Sequence, residues 1–223
     1  MRINFKKYNF GFTLAEVLIT LVIIGVIAAI TVPTLINKTN NQEYVSKLKK
    51  AYSTLSQATN QIISEEGQAT NWATSADNIY NLYLKKLNNA KKCDGNQGCF
   101  KQGQYYKLNT KEKDSSNWDT ITSHRKFILS DGTQVLIPSN SFISTNCSLN
   151  NQNNNGSNNV CAFMHVDING VKGPNEFGKD NFVFVLKRNG LYPAGCDIDG
   201  LCITGTLGLS CACKVLREGA MNY

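Results

Sequence analysis

The stretch Gly11-Phe12-Thr13-Leu14-Ala15-Glu16-Val17-Leu18-Ile19-Thr20-Leu21-Val22-Ile23-Ile24-Gly25-Val26-Ile27-Ala28-Ala29-Ile30-Thr31-Val32-Pro33-Thr34-Leu35-Ile36 decides how the whole chain is read. From Val17 to Ile36 it carries no charge, and about 20 apolar residues span a bilayer as a helix. Arg2, Lys6 and Lys7 precede it, and one acid, Glu16, sits just inside its front. A secretory signal peptide needs a shorter apolar centre and a small-residue cleavage site at its far end. This run is too long, and Ala29-Ile30-Thr31 is a poor substitute for such a site. A plain membrane anchor, positive side inside, accounts for the length. It does not account for Glu16, because an acid in a lipid-facing helix is costly unless paired or functional. A third reading puts the small residue at the front, so that a cut after Gly11 leaves the entire apolar helix on the mature chain.

The basic leader, Gly11 followed by Phe12, Thr13-Leu14, Glu16 as fifth residue after the cut, and the apolar helix behind it resemble the type IV prepilin signal. That signal is shared by type IV pilins and type II secretion pseudopilins. The resemblance covers roughly the first 40 residues. It implies that a prepilin peptidase in the membrane cuts on the cytoplasmic side after Gly11 and methylates the new amino terminus at Phe12. It further implies that Glu16 serves methylation and assembly. Gly25 and Pro33 fall where the family tolerates local helix melting, in keeping with their helix-weakening chemistry. The implied partners are other pilin or pseudopilin subunits, met through the N-terminal helix, and an inner-membrane assembly platform. The implied location is a single pass through the bacterial inner membrane with the head outside the cytoplasm, then a periplasmic or extracellular filament. Physics agrees about Glu16: a buried acid needs a cation. In a stack of such helices the nearest one is a neighbour's Phe12 amine, which would set the axial register.

Composition bounds the rest. A chain of 223 residues leaves room for one exported domain behind the stalk. The formal charge is +7; Arg2, Lys6 and Lys7 supply three of these, leaving +4 after cleavage. That is weak support for a nucleic-acid partner. All eight cysteines follow residue 90, and their number points to an oxidising compartment. Membrane signal and cysteines therefore agree on export.

Along the chain, Asn37 to Gln42 is polar but free of Gly and Pro, so a helix can run through it. Val45, Leu48, Tyr52, Leu55, Thr59 and Ile62 then recur at helical spacing. The pattern predicts one helix from about Phe12 to Ser64, roughly 80 Å long, stopped by Gly67. A second helix is expected over 75–89, capped by Ser75 or Asp77, with Ile79, Tyr80, Tyr83, Leu84 and Leu87 as its stripe. Lys85, Lys86, Lys91 and Lys92 make a basic cluster, read as a solvated face or as contact with DNA or another anionic surface. Strands are expected at Gln104–Leu108, Lys126–Leu129, Thr133–Ile137, Ser139–Thr145, Val160–Ile168 and Phe182–Leu186. Asp131-Gly132 forms a hairpin turn between the second and third. Asn146 to Asn159 is low-complexity loop, flanked by Cys147 and Cys161.

The most chemically pointed part of the head is Asp167-Ile168-Asn169-Gly170 with Asn175 and Asp180. These four oxygen-bearing side chains around Gly turns suit a hard cation such as calcium, which takes six to eight oxygens. The stretch resembles the acid-and-glycine loop near the C-terminus of many pilin-like proteins, some of which hold calcium. It lacks the terminal Glu of an EF-hand, and the alternative is a structural loop whose Asx side chains cap their own backbone. No other cofactor is called for.

Eight cysteines allow 105 connectivities. Local pairing favours Cys93–Cys99, Cys147–Cys161 and Cys196–Cys202. That set leaves Cys211 and Cys213 only each other, a strained bridge, so at least one of the three is wrong. With no C-x-x-C and only His124 and His165, zinc is poorly supported. Catalysis is too: no H-E-x-x-H, Walker loop or dinucleotide fingerprint occurs, and Gly208-Leu209-Ser210-Cys211 is half a nucleophile elbow with Ala212 in place of its second glycine.

The expectation is thus an α+β, pilin-like protein and not an enzyme. A leader (1–11) is cleaved. A spine helix has a membrane half (12–36) and an amphipathic half (37–66). A disulfide-stapled antiparallel-sheet head occupies 67–223. Such a chain would build a type IV pilus or a type II secretion pseudopilus, as a minor pilin or pseudopilin. The alternative is a surface-displayed binding module for DNA uptake or adhesion on the same anchor.

Overall fold

The computed structural model describes residues 11–93, 97–100, 105–108, 110–114, 117–149, 159–196, 202 and 208–223, the side chains of 37 and 38 aside. The chain forms two compact units, Met1–Asn41 and Gln42–Tyr223. Helix α1 is Leu14–Glu66 and includes both Gly25 and Pro33. From Leu14 to Ile36 its large apolar side chains are exposed. Its threonines do not leave hydroxyls unpaired in that surface: Thr20 donates to the Val17 carbonyl, Thr31 to Ile27, Thr34 to Ile30 and Thr39 to Leu35. Such back-bonding satisfies a hydroxyl where no water is present.

In the second unit α1 becomes amphipathic, and Val45, Leu48, Ala51, Leu55, Ala58 and Ile62 are buried. Tyr52 lies at the margin of this face, its ring 5.3 Å from Phe184 and its hydroxyl donating to the Leu191 carbonyl. Buried Thr59 donates to the Leu55 carbonyl and meets the Tyr83 hydroxyl at 2.5 Å. The helix stops at Gly67, whose φ of +81° is left-handed and favours glycine.

The head continues with α2 (Ala69–Trp72), α3 (Ala76–Lys86), β1 (Lys91–Lys92), β2 (Arg125–Ile128), β3 (Gln134–Ile137), β4 (Val160–Asp167), β5 (Asn181–Lys187), β6 (Gly190–Pro193) and α4 (Cys211–Glu218). The strands form one antiparallel sheet in chain order. Ser75 caps α3 by accepting from the Asn78 amide. Ile79, Tyr83 and Leu87 bury the expected stripe. Asp131 accepts from the Thr133 amide, and Gly132 at φ +88° closes the β2–β3 hairpin.

The sheet has two covered faces. Phe127, Val135, Ile137, Met164, Val166, Phe182, Phe184 and Leu186 join the buried face of α1 and α3 in the main core. On the other face Leu136 packs with Phe100, Tyr105, Trp118 and Phe177, which come mostly from the excursion between β1 and β2. That excursion is tied down by polar groups. Asp119 accepts from the amides of Cys99 and Phe100, and buried Lys126 donates to the carbonyls of Asp119 and Ile121.

Two expected strands are absent. In the Gln104–Leu108 segment Tyr106 makes only isolated bridges, to Lys113 and Glu176, and residues 101–104 lie outside the described ones. Ser139–Thr145 contains a 3-10 turn, Asn140–Phe142, with one bridge from Ile143 to Ala162. The reason is a competing role: Asn140 turns its carbonyl oxygen to the Ala76 amide at the start of α3. No periodicity marked α2, β1, β6 or α4, which are too short to show one.

The disulfides are Cys93–Cys99, Cys147–Cys161, Cys196–Cys213 and Cys202–Cys211. The first two are as expected, and the expected Cys196–Cys202 is replaced. Cys211 and Cys213 stand two apart on α4 and so point to different sides of it, each reaching its own partner. The Cys213 amide also donates to the Ala194 carbonyl, holding α4 against the end of β6. Non-reducing peptide mapping should recover a fragment linking Cys196 to Cys213 and none linking Cys196 to Cys202.

Candidate functional site

At the start of α1, Gly11 and Phe12 are exposed, Phe12 at 89%. Thr13 and Glu16 form a reciprocal cap. The Glu16 carboxylate accepts from the Thr13 amide at 2.8 Å and from its hydroxyl at 2.7 Å, while Thr13 Oγ1 accepts from the Glu16 amide at 3.3 Å. Glu16 therefore holds the helix start of its own chain. The T-x-x-E spacing that signals this was present in the sequence, but the acid was assigned to methylation and to a neighbour's amine. Arg2, Lys6 and Lys7 lie outside the described residues.

The acid-and-glycine loop joins β4 to β5, and the structure brings its four predicted residues together. Asp167 ends β4; its Oδ1 accepts from the amides of Asn169 and Gly170, and its Oδ2 from the Tyr105 hydroxyl at 2.5 Å. Asp180 accepts from the amides of Asn175 and Glu176, both at 2.6 Å. Asn169 Nδ2 donates to the Gly173 carbonyl. Asn175 adopts φ +53° and Gly170 φ +67°.

Asp167 and Asp180 are fully buried. Burial, and then the charge of Asp180, pushes Asp167 up to about 8. Burial pushes Asp180 up to about 6 against the amides that favour its charged form. Among the described residues no side-chain cation figures in either shift. The two buried carboxylates thus cap the backbone amides of their own loop.

Among the described residues no three of His, Cys, Asp or Glu are grouped so as to hold a metal ion. Here the available donors are carboxylate and amide oxygens, the chemistry calcium takes. Asp180 takes the side chain of Asn169 as well as the two loop amides. Asp167 Oδ1, already taking two amides, is the weaker candidate.

The remaining predicted positions are not gathered into a site. Lys86 pairs with Glu65, while Lys85, Lys91 and Lys92 are exposed. Lys91 and Lys92 are successive on β1 and so project to opposite faces. His124 Nδ1 accepts from the Ser139 amide. The His165 ring stands edge-on to Trp118 at 4.4 Å.

A model for the prokaryotic N-terminal methylation motif matches residues 6–32. With the apolar helix and the stapled antiparallel head, this defines a membrane-anchored, pilin-like subunit, processed by prepilin peptidase and assembled with other pilins. Residues 34–193 match a family described as of unknown function, DUF6613. That is well over half of the chain, which belongs to this family. No curated protein and no solved structure matches the chain.

Replacing Thr13 by Val should cost the helix start about 1 kcal/mol, seen as faster amide exchange at Ala15 and Glu16 in detergent. Thr13→Ser should keep the protection.

Proposed function

We propose that the chain is a minor pilin or pseudopilin of a type IV pilus or a type II secretion pseudopilus. Prepilin peptidase cuts after Gly11 and methylates Phe12. The subunit then waits in the inner membrane with its head outside the cytoplasm, and the assembly platform adds it to a filament. The observation that carries this reading is a helix exposed and apolar from Leu14 to Ile36 that opens, directly behind Gly11, on a carboxylate in its first turn. In lipid such a surface gains little from further apolar burial, so association rests on packing and on polar groups. Glu16 is the one acid available for that. On assembly its carboxylate passes from Thr13 to the Phe12 amine of a neighbour. Its role here is structural, not catalytic. Mass spectrometry of the native protein should find methylated Phe12 at the amino terminus; an intact Met1 or a cut near Thr31 overturns the reading. Sheared filaments should contain it as a scarce component, and Glu16→Ala should remove it from them.

The exposed Lys85, Lys91 and Lys92 favour a second role, display of an anion-binding surface. Their split between two faces of β1 makes it the weaker one. Failure of the detergent-solubilised chain to bind DNA at low salt would dismiss it.

The buried acid pair favours a structural cation, held by Asp167, Asn169, Asn175 and Asp180. Bound there, calcium would neutralise the pair and tie the end of β4 to the loop before β5. Calcium should raise the melting temperature of the wild type, and Asp180→Asn should abolish the rise.

A further inference from the structure

The tip of the loop between β4 and β5 is fastened to α1 a short way behind the apolar run. The Tyr44 hydroxyl donates to the Gly173 carbonyl and accepts from Asn169 Nδ2. One residue earlier, Glu43 pairs with Lys47 at 2.8 Å and also feels the charge of Lys172. Two ammonium groups around one carboxylate leave a net positive charge at the tip. Tyr44 stands eight residues after Ile36 in the chain. Connectivity alone keeps it within about 28 Å of that last apolar residue, whatever the geometry between.

The tip itself is amphiphilic. Val171 is 60% exposed, more than any other large apolar side chain described in the second unit. Lys172, Gly173 and Pro174 beside it are exposed as well. A single exposed valine needs no explanation, but this one adjoins a cation and is tied to the root of a membrane anchor. The root is basic too: from Asn37 to Lys50 the sequence carries Lys38, Lys47, Lys49 and Lys50 against Glu43 alone. Lys and Arg normally gather on the cytoplasmic flank of a span. With the head outside the cytoplasm, as proposed above, this surplus on the exported flank needs another cause. The phosphates of anionic lipids supply one, since they draw cations to the bilayer surface over about a Debye length.

We propose that Val171 and Lys172 form a foot that rests on the bilayer. Val171 enters the headgroup region, and Lys172, with Lys47, meets lipid phosphates. The partner is the anionic phospholipid surface around the chain's own membrane helix. Because Glu43 and Tyr44 tie the foot to α1, this contact steadies the head over the bilayer while the subunit awaits assembly.

The test places the full-length chain in nanodiscs of phosphatidylcholine and phosphatidylglycerol, with lipid brominated near the headgroup as quencher. Trp72 and Trp118 are 2% and 7% exposed and give a constant background. Val171→Trp should add a blue-shifted emission that the brominated lipid removes. Phe142→Trp is the control. Phe142 is 46% exposed, but its turn is bonded through Asn140 to Ala76, and nearby Trp72 is bonded to Gly67, at the other end of α1 from Tyr44. Its emission should stay unquenched. Lys172→Glu, added to the Val171→Trp chain, should lose most of the quenching, and raised salt should weaken it. A chain that does not enter the discs overturns the membrane anchor and the foot together. A chain that enters and is quenched equally in the two tryptophan variants, or in neither, overturns the foot alone. Quenching that Lys172→Glu leaves unchanged overturns the phosphate contact.

Discussion

A helix that is apolar all round has to be surrounded by lipid or by other helices, whereas one with a single apolar stripe has to be covered along that stripe alone. Both constraints act on α1. From Leu14 to Ile36 no face is polar, and the apolar side chains stand exposed. From Val45 to Ile62 only one face is apolar, and it is buried against α3 and the sheet. The head depends on this second constraint, because β2 to β5 present alternate residues to the core that α1 shares: Phe127, Val135, Met164, Val166, Phe182 and Phe184 all lie in it. Fully burying a side chain of the size of Leu48 or Leu55 stabilises by about 1.5–3 kcal/mol. Without the helix, this face of the sheet would keep only α3 and α4 as cover.

The second face follows a different logic. It mixes Leu136, Val183 and Val185 with His165, Asp167, Gln134 and Asn181. Its cover, the excursion between β1 and β2, has few long apolar runs. Capping by Asp119, the Lys126 ammonium and the Tyr105–Asp167 bond hold it in place, together with Cys93–Cys99. Polar groups buried in this way stabilise only when each is satisfied.

Much of the fold was legible because it is carried by local pattern. The 3-4-3-4-3 spacing from Val45 to Ile62 marked the buried face of α1, and Gly67 marked its end. Ser75, Asp131-Gly132 and the apolar runs at β4 and β5 behaved as their residue types require. The failures share a cause. Ser139 to Thr145 alternates well enough for a strand, yet Asn140 is engaged in holding α3, a contact 64 residues away. Cys196 could not be paired correctly because α4 carries no long periodic signal, and without that helix nothing separates the reach of Cys211 from that of Cys213.

By itself the sequence determined the long apolar helix, the methylation motif around Gly11-Phe12 with Glu16 behind it, and the identity of the oxygen-rich loop. Each is written in residue types at fixed short spacing, where chain connectivity alone sets geometry. Tertiary structure decided the Cys196–Cys213 and Cys202–Cys211 pairs and the cover on the second face. It also decided that Glu16 is shared with Thr13 and that Gln134 and Asn181 flank Asp167. These last two residues are 33 and 14 positions from Asp167 in the chain. Only strand register brings such distant residues level, and register is settled by the burial of an entire sheet face.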